Sequence, residues 1–318
     1  MERRLKYTLC HGSGNRFALI DGVQHEQILH SLTCPEFVRT AAMSLDTKPL
    51  DGLLFLVRES EEELAMRMYN TDGSAAEMCG NGIRCVARMA RERYLQSDEF
   101  TLWSGGRQYP ILLQRPIFGA IPTFGVDIAL THFSKDFLLS GNRFEARVIK
   151  ALNSELEFMF LNPGNPHIVA KVTTIDYELL EELGQRVKSL KDIFPNGVNV
   201  SLFREVAPQR IFVATFERGV GLTASCGTAM TSSATASVLL GVNPAGCDIE
   251  VMNRGGMVRC NVKDICERSV TTRLIGNATY YREGRMEWCD GKIEIVEQSE
   301  ILNEEREYEL FVESISNL

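Results

Sequence analysis

The sequence predicts an α+β protein, rich in strands and built from two related domains. Three observations predict it. Runs of β-branched and aromatic residues alternate with turn glycines, helical spacing appears in only a few stretches, and one local order is written twice. That order is a strand, a glycine-bearing loop and a Cys-Gly pair opening a helix. It reads "MRMYNTDGSAAEMCGNG" in the first half and "VATFERGVGLTASCGTA" in the second. From strand ends at Asn70 and Glu217, each cysteine follows by nine residues (70 to 79, 217 to 226). The matched loops point to an internal duplication with a seam near residues 130–140.

Taken along the chain, "DGLLFLV" (51–57) reads as a strand. In "LAMRMYN" (64–70), Leu64, Met66 and Met68 alternate with Ala65, Arg67 and Tyr69, the pattern of a half-buried strand. After Cys79, Ile83, Val86, Ala87, Ala90 and Tyr94 recur at helical spacing, with Arg84, Arg88 and Arg91 between them. "RIFVATFE" (210–217) is a third strand, rich in β-branched and aromatic residues. After Cys226 come Ala229, Ser232, Ser233 and Ala236, then Val238, Leu239 and Leu240, stopped by Gly241 and Pro244. So small a helix surface suits a tightly enclosed core helix. Residues 282–318 are strongly acidic and read as a solvated extension, an added edge helix or strand being the alternative.

At 318 residues the chain has room for two domains. A hydrophobic fraction of 44% and a charged fraction of 24% describe a globular protein. The net charge of −8 argues against nucleic acid or an anionic membrane surface as partner. No apolar run reaches membrane-spanning length, and "MERRLKYTLCHGSG" lacks the apolar core of a signal peptide, so a cytoplasmic location is expected. The nine cysteines are odd in number, and the closest pairs, Cys79/Cys85 and Cys260/Cys266, do not have zinc spacing. With only five histidines and no HExxH, no metal is expected. The glycines of "HGSGN" and "NRGGM" read as turn glycines, since neither stretch carries the Lys-Ser/Thr ending of a phosphate loop.

A cysteine at a helix N-terminus sits at the positive end of the helix dipole, which favours thiolate. The N–H groups of the same turn can bind a carboxylate, and Gly80, Gly82 and Gly227 let a ligand approach. One such cysteine suits a thiol hydrolase, a redox sensor or nothing. Two suit inversion of an amino acid, one thiolate removing the α-proton while a thiol opposite returns one. The α-proton is far less acidic than a thiol, so the carbanion needs strong stabilisation from clustered N–H donors. No pyridoxal phosphate lysine motif is evident, consistent with a route that uses no cofactor. These residues alone leave racemase, redox and inert-core readings open.

The quoted residues resemble the diaminopimelate epimerase family. The resemblance runs through "LKYTLCHGSGNRFALIDG" (5–22), "YNTDGSAAEMCGNGIRC" (69–85), "NPGNPHIV" (162–169), "GVNVSLF" (197–203) and "FERGVGLTASCGTA" (216–229), covering about residues 5–281. It implies two pseudo-symmetric domains, each a sheet wrapped around a central helix, with the active site in the cleft between them. The expected divisions are 1–133, 134–277 and a segment 278–318 that returns to the first domain with an acidic extension. It implies Cys79 and Cys226 as the catalytic thiols, with N–H groups of Gly80, Asn81, Gly227 and Thr228 on the reacting carboxylate. Asn70, Asn165, Asn199 and Arg218 would grip the distal end, with Glu217 near an ammonium group. Asn15 would touch substrate, and His167 would support the site. Cys85 is expected to be packing.

The chain departs from the family pattern at Arg16, where Asp is usual, at "LDTKPLDG", which keeps only Asp51–Gly52, and at Leu222 and Ala229. The function implied is cofactor-independent epimerisation of LL-2,6-diaminopimelate to the meso isomer, within lysine and peptidoglycan precursor synthesis. A racemase of another amino acid such as histidine, and a non-catalytic small-molecule-binding or thiol redox-sensing homologue, are the alternatives. The expected partner is a small amino acid, and a homodimer is allowed but not required.

Overall fold

The computed structural model describes residues 4–132 and 144–316. The chain divides into two compact units, Met1–Val126 with Gly276–Leu318, and Asp127–Ile275. The expected division at 133/134 lies outside the described residues.

In the first unit the strands pair along one continuous path. Strand Lys292–Glu300 pairs antiparallel with Thr279–Cys289, which pairs antiparallel with Arg4–Gly12, which forms a hairpin with Asn15–Asp21. Asn15–Asp21 then runs parallel to Gly52–Arg58, Gly52–Arg58 antiparallel to Leu64–Tyr69, and Leu64–Tyr69 parallel to Glu99–Ser104, which pairs with Arg107–Gln114. The second unit repeats this sequence of pairings. Glu157–Leu161 forms a hairpin with His167–Lys171, which runs parallel to Asn199–Ala207. Asn199–Ala207 is antiparallel to Arg210–Glu217, which is parallel to Asp248–Asn253, itself antiparallel to Gly256–Lys263. The duplication inferred from two cysteine loops thus extends over both units.

Each parallel step needs a crossover, and helices supply it. Pro35–Ser44 and Tyr177–Arg186 make the outer crossovers, Gly80–Arg93 and Gly227–Leu239 the inner ones. Strands covered on both faces should be apolar throughout, and Gly52–Arg58 is buried from Gly52 to Val57. Leu53, Phe55 and Val57 pack with Phe37, Val38 and Ala41 of the outer helix. Leu54 faces the opposite way, where a Cβ on Gly82 of the inner helix would meet it at 2.9 Å. In the second unit Phe158, Phe160, Ile168 and Val200 pack with Leu180 and Leu183 of the outer helix. Each fully buried Leu or Phe of this kind stabilises by about 1.5–3 kcal/mol.

The inner helices are enclosed. Every residue from Gly80 to Ala90 is buried, as is every residue from Gly227 to Ser237. The arginines of the first are enclosed with it, Arg84 fully buried and Arg88 nearly so. Strand Leu64–Tyr69 departs from simple alternation, since Ala65 is buried between Leu64 and Met66.

The acidic segment is folded, as the added strand and helix of the alternative reading, although strand Lys292–Glu300 is largely exposed. After the hairpin of Thr279–Cys289 with Lys292–Glu300 comes a helix, Leu302–Ser316, which buries Tyr308 and Phe311. Its Glu304 accepts two hydrogen bonds from the Arg88 guanidinium, at 2.6 and 2.8 Å. One glutamate of the segment thus complements a nearly buried arginine. No described helix is long and apolar enough to cross a membrane.

Candidate active site

The two Cys-Gly turns are built alike. Strand Leu64–Tyr69 turns into the short strand Ala75–Ala76, and Arg210–Glu217 turns into Gly221–Thr223. The cysteine comes three residues after each short strand (76 to 79, 223 to 226). Cys79 caps its helix with φ −138° and ψ 114°, Cys226 with φ −137° and ψ 110°. The first intrahelical bonds run from Ile83 N–H to Cys79 O at 2.9 Å and from Met230 N–H to Cys226 O at 3.0 Å. The N–H groups of Gly80, Asn81, Gly227 and Thr228 therefore precede the helical ladder.

The sulfurs differ in their partners. Cys79 Sγ accepts from the Gly82 N–H at 3.4 Å and lies 3.8 Å from Asn15 Oδ1. Asn81 Nδ2 donates to the same Asn15 oxygen at 3.4 Å. Cys226 Sγ lies 3.4 Å from Thr228 Oγ1. Burial, then the nearby Glu217 carboxylate, push the Cys226 thiol well above the ordinary range, while the Thr228 hydroxyl pulls the other way. The lowered pKa expected at this helix N-terminus is reversed, because the sulfur is buried and desolvation outweighs the dipole.

The first unit holds Asn15, Asn70, Cys79, Gly80 and Asn81. Asn70 is bonded within its own turn, its side chain donating to Ser74 Oγ at 2.9 Å. The Asp51–Gly52 pair locks the approach to Asn15 from behind. Asp51 N–H donates to Arg16 O, and Asp51 Oδ2 accepts from Arg16 N–H, both at 2.7 Å. Glycine is required at 52, where a Cβ would stand 2.5 Å from Tyr69 O.

The second unit gathers Asn165, His167, Asn199 and Thr228 around one atom. His167 Nε2 lies 3.2 Å from Asn165 Oδ1, 3.2 Å from Asn199 Nδ2 and 3.1 Å from Thr228 Oγ1. Asn199 Oδ1 accepts from the Arg218 N–H at 2.8 Å, so this asparagine ties the histidine to the strand end that carries Glu217 and Arg218. Burial, followed by the Arg218 charge, lowers His167 to about 3, which keeps its ring neutral at neutral pH. The Arg218 guanidinium donates to Asn196 O at 2.9 Å, and Thr223 Oγ1 donates to Glu217 Oε1 at 2.6 Å.

Sequence reasoning missed the support behind Cys79. Arg84 donates to Asn277 O, Gly80 O, Ser13 Oγ and Asn81 Oδ1 at 2.8–3.1 Å, binding two other chain segments to the helix start. A Cβ on Gly12 would meet Asn81 O at 2.7 Å, and one on Gly276 would meet the Arg84 guanidinium carbon at 2.9 Å. A charged residue four positions after Gly80, on a helix of apolar period, was the available signal. Cys85 packs in the core, buried beside Cys10. Among the described residues no group of three or more His, Cys, Asp or Glu side chains is gathered to hold a metal ion.

The duplicated sheet-and-helix unit defines the fold class, an α+β fold written twice in one chain. A hydroxyproline epimerase from Agrobacterium vitis, solved with trans-4-hydroxy-L-proline, shares it with a TM-score of 0.62 at 14% identity, over 91% of this chain and 94% of that one. The family model described as diaminopimelate epimerase matches residues 7–107 and 159–281. A diaminopimelate epimerase of Clostridium acetobutylicum is 35% identical over 309 residues, 96% of this chain and 92% of the relative. One from Enterococcus faecalis is 34% identical over 322 aligned positions, 96% of this chain and 97% of the relative. The chain belongs to the diaminopimelate epimerase family.

Proposed function

We propose that this protein interconverts LL-2,6-diaminopimelate and meso-2,6-diaminopimelate by a two-base thiolate/thiol mechanism without a cofactor, in the cytoplasm, for lysine and peptidoglycan precursor synthesis. One observation carries the reading: two Cys-Gly helix starts of the same backbone conformation in a duplicated fold. Family membership supplies the substrate.

Cys79 and Cys226 are the two bases. The reaction requires both sulfurs to reach one α-carbon, from opposite faces. The thiolate takes the α-proton while the opposite thiol gives its own, so the thiol/thiolate pattern is exchanged in the product. N–H groups of Gly80, Asn81, Gly227 and Thr228 bind the α-carboxylate and stabilise the charge that spreads into it. Asn15 contacts the substrate. Asn70, Asn165, Asn199 and Arg218 grip the distal amino-acid end, Glu217 answers its ammonium group, and neutral His167 holds the amides in place. The Arg218 guanidinium then exchanges the Asn196 carbonyl for a carboxylate, which it meets as a planar fork.

The test uses reduced protein in heavy water with LL-diaminopimelate, following deuterium at the α-carbon and formation of the meso isomer. L-histidine, L-glutamate and L-proline run alongside. Inversion of diaminopimelate, abolished by Cys79→Ala or Cys226→Ala and strongly weakened by Arg218→Met, is expected. Inversion of another amino acid alone would keep the thiols and replace the substrate. No exchange with any of them, thiols confirmed reduced, would leave a binding or redox-sensing protein.

A further inference from the structure

His11 and Arg16 face each other across the hairpin that carries Asn15 at its turn. One carboxylate on the C-terminal helix holds both. Glu305 Oε2 lies 2.9 Å from His11 Nε2, and Glu305 Oε1 accepts from both terminal nitrogens of Arg16 at 3.3 Å. Between these clamped residues the chain makes a tight turn with Ser13 at φ 53° and Gly14 at φ 79°. A non-glycine residue in that region is uncommon and is kept there only by its surroundings.

The hydrogen bonds allow only one form of the His11 ring. An ionised carboxylate can only accept, so Nε2 must carry the proton toward Glu305. Gly14 N–H can only donate, and it points at Nδ1 from 3.4 Å. Asn277 Oδ1 accepts from Ser13 N–H at 2.7 Å, which leaves Asn277 Nδ2 as a donor, 3.3 Å from the same Nδ1. Nδ1 must therefore be a bare acceptor. The Tyr308 ring closes over the imidazole, with centroids 4.4 Å apart. Burial drives His11 toward the neutral form, opposed in part by Glu305. On the carboxylate the opposition is reversed: burial pushes Glu305 up, and His11 and Arg16 bring it below its usual range.

From the turn the chain of contacts leads to the sulfur. Ser13 Oγ accepts from Arg84, Arg84 also donates to Asn81 Oδ1, and Asn81 Nδ2 donates to the Asn15 oxygen that lies 3.8 Å from Cys79 Sγ. We propose that Glu305 is a positioning residue for the Cys79 half of the site: it fixes the His11 tautomer, and that tautomer holds the Ser13–Asn15 turn that presents Asn15 to the Cys79 sulfur. The proposal rests on the epimerase reading for its consequence in turnover, not for the tautomer itself.

The test has a spectroscopic arm and a kinetic arm, both on the full chain. In protein labelled with 15N-histidine, long-range proton–nitrogen correlation spectra report which ring nitrogen carries hydrogen, His11 being assigned by its loss in His11→Asn. The wild type is expected to show a neutral ring protonated at Nε2. Glu305→Ala is expected to lose that pattern, to lower kcat by about tenfold or more with little change in KM, and to change the alkylation rate of Cys79. In His11→Asn the side-chain oxygen replaces Nδ1 as acceptor without needing Glu305, so in that background the same substitution should cost much less.

A wild-type ring protonated at Nδ1, or at both nitrogens, at neutral pH would overturn the proposal without any variant. So would a folded Glu305→Ala protein with wild-type kcat and Cys79 alkylation, or an equal cost in both backgrounds. If wild type turns over no amino acid, the epimerase reading fails separately, and the tautomer and Cys79 alkylation still decide the positioning role.

Discussion

Thr228 Oγ1 stands between two side chains of the candidate site, 3.4 Å from the Cys226 sulfur and 3.1 Å from His167 Nε2. Its hydroxyl is a polar group that favours the Cys226 thiolate against burial and Glu217. Thr228→Val keeps the shape and removes the hydroxyl. One hydrogen bond is worth about 0.5–1.5 kcal/mol, so turnover should fall by about two- to tenfold. Because the lost bond favoured the charged form, Cys226 should ionise at still higher pH, and the rate limb that requires its thiolate should move upward. A pH–rate profile that keeps its position would remove Thr228 from this role.

The two cysteines should be told apart by alkylation. Cys79 is part-exposed, and its sulfur accepts a backbone N–H; Cys226 is buried and held as thiol. Reaction needs both access and thiolate. With limiting iodoacetamide, peptide mass spectrometry should find Cys79 modified on the order of tenfold faster than Cys226. Faster labelling of Cys226 would reverse the assignment.

His167 should make the fold sensitive to acid. In the unfolded chain a histidine titrates near pH 6.5, at about its ordinary value. In the fold it takes a proton only near pH 3, chiefly because it is buried. The folded pKa is depressed, so the contribution is present above the unfolded pKa and is lost as pH falls from there toward about 3, the unfolded state binding more protons. The slope should approach about 1.4 kcal/mol per pH unit. Urea unfolding of His167→Gln from pH 7 to 4 should show a shallower loss than wild type, and parallel curves would refute it.

Arg84 should be irreplaceable even by lysine. Its fork serves acceptors on residues 13, 80, 81 and 277 at once, in a fully buried place. A lysine brings charge but a single nitrogen, leaving several acceptors unmatched. Arg84→Lys should destabilise by about 2–4 kcal/mol in urea unfolding. It should also slow inversion, since Gly80 and Asn81 lose their support.

Much of this was legible in the sequence where local pattern and tertiary need agree. The Cys-Gly turns, the strands at 51–57 and 210–217 and the enclosed small-residue helix after Cys226 all have short-range signatures. The burial of Arg84 and Arg88 was not legible, because helical periodicity only places them between the apolar positions. Their partners, the Asn277 carbonyl and the Glu304 carboxylate, lie far along the chain and leave no local mark. The same holds for Glu304 and Glu305 of the acidic segment, whose partners Arg88 and Arg16 lie more than 200 residues earlier. Cys226 shows competition: the helix start writes the dipole and the small residues after it write the burial, but which of the two wins is not local.

Strand Arg4–Gly12 is held on one side by Thr279–Cys289, whereas Asp127–Ile275 is continuous in sequence. On a translating ribosome the middle of this chain can therefore reach its native pairing before the beginning can. The earliest strand waits with an open edge until residues near 289 emerge, and shortening the chain to 278 would leave that edge permanently open, inviting intermolecular pairing.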